Sequence, residues 1–347
     1  MSRLTMIVLV FLLQTGLLEA QVYSTLELSQ SLKVSKVKVL PDRSSIALAD
    51  LQGTLYLFAP DGTLKQTVDV IGHRKLDTKH FFFDFSANEV GDIFVLAVWN
   101  HPEKRLEIGS FVFNKNGEFK RVITFNKPID ARGIIVTPKG NIVLLGLSPD
   151  YYFGESKKIF LLHQYDSNGQ WVNSGGEVDP ATYSTSSSAD YRTLGPLVDR
   201  LPFGICPRGI YYVVPGTNKV EFHDPDNLLL LDSIEIPAPK KELKPIPSEA
   251  QDKFGQFSHI EQNIWRLQID KNEVRAEFDQ AQSYKSPNAI MKVHFLVFCD
   301  PRGKLLSSRE YDQMHGVFLP SANGAYSKYV TLIPQDGQYQ MVDRQAR

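Results

Sequence analysis

The stretch Gly133-Ile134-Ile135-Val136-Thr137-Pro138-Lys139-Gly140-Asn141-Ile142-Val143-Leu144-Leu145, followed by Lys158-Ile159-Phe160-Leu161-Leu162 and then Asp166-Ser167-Asn168-Gly169-Gln170-Trp171-Val172, reads as a four-stranded meander. Its apolar runs have strand length, and Pro-Lys-Gly-Asn and Asp-Ser-Asn-Gly supply the residues that tight turns require. The same order recurs on both sides. Upstream it appears as Lys36–Leu40, Ile46–Ala49, Thr54–Ala59 and Leu64–Val70, and again as Phe81–Ser86, Ile93–Trp99, Ser110–Asn114 and Phe119–Phe125. Downstream it appears as Pro202–Cys206, Ile210–Pro215, Lys219–Asp224 and Leu228–Ile236, then as Ile264–Asp270, Val274–Asp279, Lys292–Cys299 and Lys304–Tyr311. Runs such as Ile93 to Val98 are apolar at successive positions, the pattern of strands buried on both faces.

A hairpin turn punctuates the copies at Asp61-Gly62, Asn116-Gly117, Asn168-Gly169, Asp226-Asn227, Arg302-Gly303 and Asp336-Gly337. Repetition at roughly 40–50 residues with several strands per copy marks a β-propeller, in which no blade buries its faces alone. The reading predicts an all-β, six-bladed propeller of four-stranded antiparallel blades. After Tyr311 the chain has room for three strands only: Gly316–Ser321, Ser327–Pro334 and Gln338–Arg344. Val22–Ser29 is expected to supply the fourth, so that strands from both ends close the ring and remove its exposed edges.

The Gly133–Leu145 and Lys158–Val172 stretches resemble an NHL-type repeat of the six-bladed, TolB-like propeller superfamily, clearly in the third copy and partially elsewhere. The resemblance implies fold more than function, because that superfamily holds binding scaffolds, lactonases, esterases and lyases alike.

Residues 1–20 carry Arg3, an apolar run from Leu4 to Leu18 and Ala20 before Gln21. The run is short for a bilayer span and has the layout of a cleaved export signal. The expected organisation is a signal peptide at 1–20 and a single propeller domain at 21–347, secreted or periplasmic, with no membrane span after cleavage. Thirty-eight basic against 39 acidic residues leave a net charge of −1, without the basic field that nucleic acid or an anionic membrane requires. The two cysteines, Cys206 and Cys299, each precede a Pro-Arg-Gly turn; a disulfide between them and two separate thiols are both open.

In a meander the first-to-second and third-to-fourth turns share one face, and the remaining connections share the other. Nearly all the turns of the first kind are tight. The insertions Ile71–Lys79, Asn100–Gly109, Ser148–Lys157, Asn173–Asp199, Pro237–Phe257 and Gln280–Ala289 fall on the second face. Long loops on a rigid scaffold carry recognition residues. Trp99, Tyr151, Tyr152 and Tyr284 are the ring side chains expected to face a peptide, carbohydrate or protein partner there. His80, Arg132, Arg200, His259 and His315 stand where innermost strands begin, and such groups suit an anion, a metal or a carbonyl. Asp84, Asp130, Asp199 and Glu261 are carboxylates near inner strands. Calcium or a transition metal would suit these residues, although no motif requires one. Asp166–Gly169 and His223–Asn227 superficially resemble calcium loops, but hairpin chemistry explains them first. The leading expectation is therefore an exported binding or scaffold propeller. The alternative is a metal-dependent, lactonase- or esterase-like hydrolase, or a lyase, with its site at the channel mouth.

Overall fold

The computed structural model describes residues 21–26, 34–39, 46–50, 54–58, 64–70, 80–99, 107–148, 158–178, 198, 201–239, 259–269, 271–283, 290–311, 316–319, 328–335 and 338–344. The leader 1–20 lies outside them. The first strand, β1 (Gln21–Leu26), is followed by β2 (Val34–Val39), β3 (Ile46–Asp50), β4 (Thr54–Phe58) and β5 (Leu64–Asp69), the last four forming sheet 1. Sheet 2 is β6 (His80–Ala87), β7 (Ile93–Trp99), β8 (Glu107–Phe113) and β9 (Phe119–Thr124). Sheet 3 is β10 (Asp130–Val136), β11 (Ile142–Leu147), β12 (Ile159–Tyr165) and β13 (Trp171–Val178). Sheet 4 is β14 (Phe203–Cys206), β15 (Gly209–Val213), β16 (Lys219–His223) and β17 (Leu230–Glu235). Sheet 5 is β18 (His259–Ile269), β19 (Val274–Ser283), β20 (Ile290–Cys299) and β21 (Leu305–Tyr311). Last come β22 (Gly316–Leu319), β23 (Lys328–Gln335) and β24 (Gln338–Arg344), and β1 adds to β24 as the outermost strand of sheet 6.

Every pairing is antiparallel, and the radial stack of meanders is a β-propeller. Burial grades from centre to rim. The middle strands β7, β11, β12 and β15 are buried on both faces, whereas the outermost β5, β9 and β17 are exposed at most positions. The core lies between sheets, not within them. One apolar cluster joins Leu55, Leu57 and Val68 of sheet 1 to Phe85, Val95 and Phe111 of sheet 2. Further clusters bridge sheets 2 and 3, sheets 3 and 4, and sheets 4 and 5. The innermost β22 of sheet 6 lies against β2 of sheet 1.

The repeated turn has one geometry. In sheet 3 the Asp166 carboxylate accepts from the N–H groups of Asn168 and Gln170, and Gly169 takes a positive φ of 86°. Asn114 and Asp300 make the same contacts in sheets 2 and 5. The sheet 4 turn is one residue longer: Asp224 accepts from Asp226 and Asn227, and Leu228, the fourth residue after it, takes φ 59°. These oxygens serve the backbone, as expected of hairpins and not of calcium loops. One part of the repeat is corrected. The Asp336-Gly337 turn joins β23 to β24, the second and third strands of its sheet, and so falls on the opposite face from the other five. In sheet 6 the place of the third-to-fourth turn is taken by the chain ends, with Gln21 opposite Asp343.

Because β1 covers the edge of β24, deleting Gln21–Leu26 leaves a bare strand edge. The truncated chain is expected to aggregate or to melt well below the parent; a monomer with an unchanged melting temperature would contradict this role for β1.

Candidate functional site

The innermost strands meet around the axis, and their axis-side backbone groups have no sheet neighbour there. Asp84 of β6 supplies one. It follows the bulged residue Phe83, is 5% exposed, and its Oδ2 accepts from Lys38 Nζ of β2 at 2.7 Å and from the Ile134 N–H of β10 at 3.0 Å. Lys38 Nζ also donates to the Phe85 carbonyl at 2.8 Å and lies 5.6 Å from the centre of that ring. One carboxylate thus ties the inner strands of three successive sheets. Its other oxygen, Oδ1, is buried without a hydrogen-bond partner. Among the sequence-derived carboxylates, then, Asp84 serves the fold, and the signal that could have found it is an aspartate inside the apolar run Phe81–Phe85 of an inner strand.

The other channel-mouth residues fall as follows. Arg132 is the bulged residue of β10 and pairs with Asp130, Nη2 to Oδ1 at 2.9 Å, both partly exposed. His80 and His259 are the first residues of the innermost strands β6 and β18, with Trp99 and Ser283 opposite them. Sheet 5 has longer strands, so His259 stands farther ahead of the bulge at Trp265 than His80 does ahead of Phe83. Their side chains lie outside the described residues, as do Arg200 and His315 altogether. Among the described residues no group of three or more His, Cys, Asp or Glu is gathered as metal ligands.

Trp99, expected at the ligand face, is instead a core residue at 4% exposure. Its ring tilts against Phe111 at 5.6 Å and covers Gly109, where a Cβ would stand only 2.5 Å from the indole; Nε1 donates to Glu107. Tyr151, Tyr152 and Tyr284 lie outside the described residues. Cys206 and Cys299 are free thiols that border the same apolar cluster between sheets 4 and 5. Burial pushes both thiols up, Cys299 to about 11, which keeps them protonated and unreactive. The disulfide left open by the sequence is not formed. The neighbouring tie is made by Arg208, which stacks on Phe222, pairs with Asp232 and donates to the Pro301 carbonyl of sheet 5.

Two buried polar networks sit away from the axis. Glu221 accepts from Tyr212 and Lys219 at 2.8 Å each and faces His223 Nε2 at 3.4 Å; these bonds outweigh burial and hold its carboxyl down at about 2. His163 places Nε2 3.0 Å from the Phe160 carbonyl and Nδ1 3.0 Å from the Ser174 hydroxyl. That is a neutral ring, donating from Nε2 and accepting at Nδ1, and burial lowers its pKa to about 4.

The strand ends also place the connections. Segments 70–79, 100–106, 148–158, 179–202, 236–258 and 284–289 all join strands on the face opposite the five tight third-to-fourth turns. No helix among the described residues is long and apolar enough to cross a membrane.

No family profile matches the chain, and no curated protein matches it. Solved structures do. A Bacteroides fragilis protein provisionally described as exported superposes with a TM-score of 0.51 at 9% identity over 93% of this chain and 95% of that one, a likeness of fold. A Bacteroides caccae protein of unknown function gives 0.47 at 11% identity over 82% and 84%. The Cps50 (Swd1) β-propeller domain of Myceliophteria thermophila gives 0.46 at 8% over 94% and 100%.

Two measurements follow from these ties. Lys38→Met leaves a buried carboxylate without its cation and is expected to cost on the order of 3 kcal/mol in urea unfolding, while Lys38→Met with Asp84→Leu recovers much of that loss. Additive single effects would show that the pair is not coupled. For His163, the unfolded ring takes a proton near pH 6.5 and the folded ring only near 4, so its contribution is intact above 6.5 and falls away down to about 4. The loss amounts to about 3 kcal/mol. The stability slope across that window should flatten in His163→Gln, and an unchanged slope would place the titration elsewhere.

Proposed function

We propose that this chain is an exported binding module, secreted or periplasmic: a six-bladed, TolB-like propeller over 21–347, closed by its N-terminal strand, that holds a peptide, carbohydrate or protein partner on its long-loop face. The observation that carries the reading is the division of the two faces: the third-to-fourth turns of sheets 1 to 5 are short, and segments 70–79, 148–158, 179–202 and 236–258 lie opposite them, with 320–327 the longest connection on the turn face. Sheet 6 against sheet 1, together with the core clusters between successive sheets from 1 to 5, supports the closed ring of six. The use of Asp84 and Lys38 as a tie favours a structural axis over a metal centre, because the carboxylate is already neutralised.

Glycan arrays and peptide libraries probed with the parent and with Tyr151→Ala/Tyr152→Ala test the reading. The double variant should lose the parent's hits at an unchanged melting temperature. Retained hits would move recognition off these loops. Stoichiometric calcium, zinc or iron in the purified chain, with ester or lactone hydrolysis that fails on its removal, would favour the hydrolase alternative instead.

A further inference from the structure

The exposed large apolar side chains among the described residues are confined to one face. Leu64 opens β5, Phe119 opens β9, Trp171 and Val172 open β13, Leu229 to Leu231 lead into β17, and Leu305 and Leu306 open β21. Each group follows directly on a third-to-fourth turn, and Val90 lies in the first-to-second turn of sheet 2, on the same side. Exposure is large at several of them: 65% at Leu229, 58% at Leu306 and 40% at Trp171. The margin of the turn face therefore carries an apolar group in five successive sheets. Such repetition in the outermost strands owes nothing to the core, because the inward-facing Val68, Ile123 and Ile234 of the same strands already fill it.

In sheet 6 the corresponding position is the start of β1. Gln21 pairs with Asp343 at the end of β24, so the chain enters β1 from the turn face. We propose that the turn face seats on a lipid surface, with the belt dipping into the boundary between headgroups and acyl chains. Three features favour a bilayer over a polypeptide. The apolar groups are spread around a margin, which a plane touches at once and a peptide does not. Phe119 and Trp171 are the ring types that settle at that depth. Lys304 stands next to Leu305, with an apolar stem that reaches past it to headgroup phosphates, whereas Lys120 beside Phe119 is held by Asp92 at 2.7 Å. Glu118, Asp166, Asp226 and Asp300 lie in the same turns, so the attraction is apolar burial and not a field, and a zwitterionic surface suffices. The long loops then point away from the lipid. The proposal does not depend on what those loops bind.

Trp171 is the reporter. Its ring is half-exposed and stacked under Lys127 at 4.4 Å, while Trp99 is in the core. The chain from Gln21 onward is mixed with phosphatidylcholine vesicles brominated along the acyl chains, and tryptophan emission is read against unbrominated vesicles. The parent should lose the component of its emission that Trp171→Phe lacks, and that variant should show no bromine-dependent loss. Leu230→Ser/Leu306→Ser, which leaves the core intact, should partition roughly tenfold or more weakly. Absence of quenching in the parent at saturating vesicle concentration overturns the proposal. So does quenching that persists in Trp171→Phe. Shielding of Trp171 in a lipid-free dimer would assign the belt to a second copy of the chain and overturn it equally.

Discussion

A carboxylate shared among three inner strands is the constraint on which the arrangement turns. Around a propeller axis the innermost strands present an edge with no further strand to pair, and buried backbone groups there must find partners elsewhere. Asp84 takes the Ile134 N–H of the next sheet, and Lys38 of the previous sheet takes the Phe85 carbonyl while neutralising Asp84. The bulge at Phe83, immediately before Asp84, interrupts the ladder at this level. Three sheets are thereby fixed in relative height and rotation before any apolar packing is counted.

Packing then follows from sheet to sheet. Each apolar cluster draws side chains from two neighbouring sheets, so a single sheet has no core of its own, and stability resides in the contacts between repeats. The periphery is tied in the same sense. Gly169 of the sheet 3 turn lies against the Thr124 carbonyl at the end of β9, where a Cβ would come within 2.4 Å, and its positive φ independently asks for glycine. Asn126 completes that contact by donating to the Gly169 carbonyl and the Gln170 side chain. Turn residues that satisfy a hairpin locally thus also register one sheet on the next, which leaves the opposite face free to vary in loop length.

Much of this was legible in the sequence because propeller strands are buried on both faces and need unbroken apolar runs. Ile93–Trp99 and Ile142–Leu147 announce themselves that way, and Asp166-Ser167-Asn168-Gly169 announces its hairpin. What failed to show depended on partners distant in the chain. Asp336-Gly337 has hairpin chemistry like the others, but which pair of strands it joins is decided by β1, more than 300 residues away. Asp84 reads as an available ligand until Lys38 and Ile134 are brought to it from other sheets. Trp99 reads as a rim residue because it ends a strand before a loop, and only the absence of a side chain at Gly109 across the sheet makes room to bury it. Tyr151, Tyr152, Tyr284, Arg200 and His315 stay sequence-level candidates on the loop face.

Hydrogen exchange at the Ile134 amide tests the shared carboxylate most directly, because that N–H bonds to Asp84 and not to a sheet neighbour. The structure predicts exchange as slow as that of the core amides in β11 and β12, rising to the rate of an open edge when Asp84 is replaced by Ala while those core amides keep their protection. Rapid exchange at Ile134 in the parent, with β11 and β12 fully protected, would show that the inner strands are not joined through Asp84.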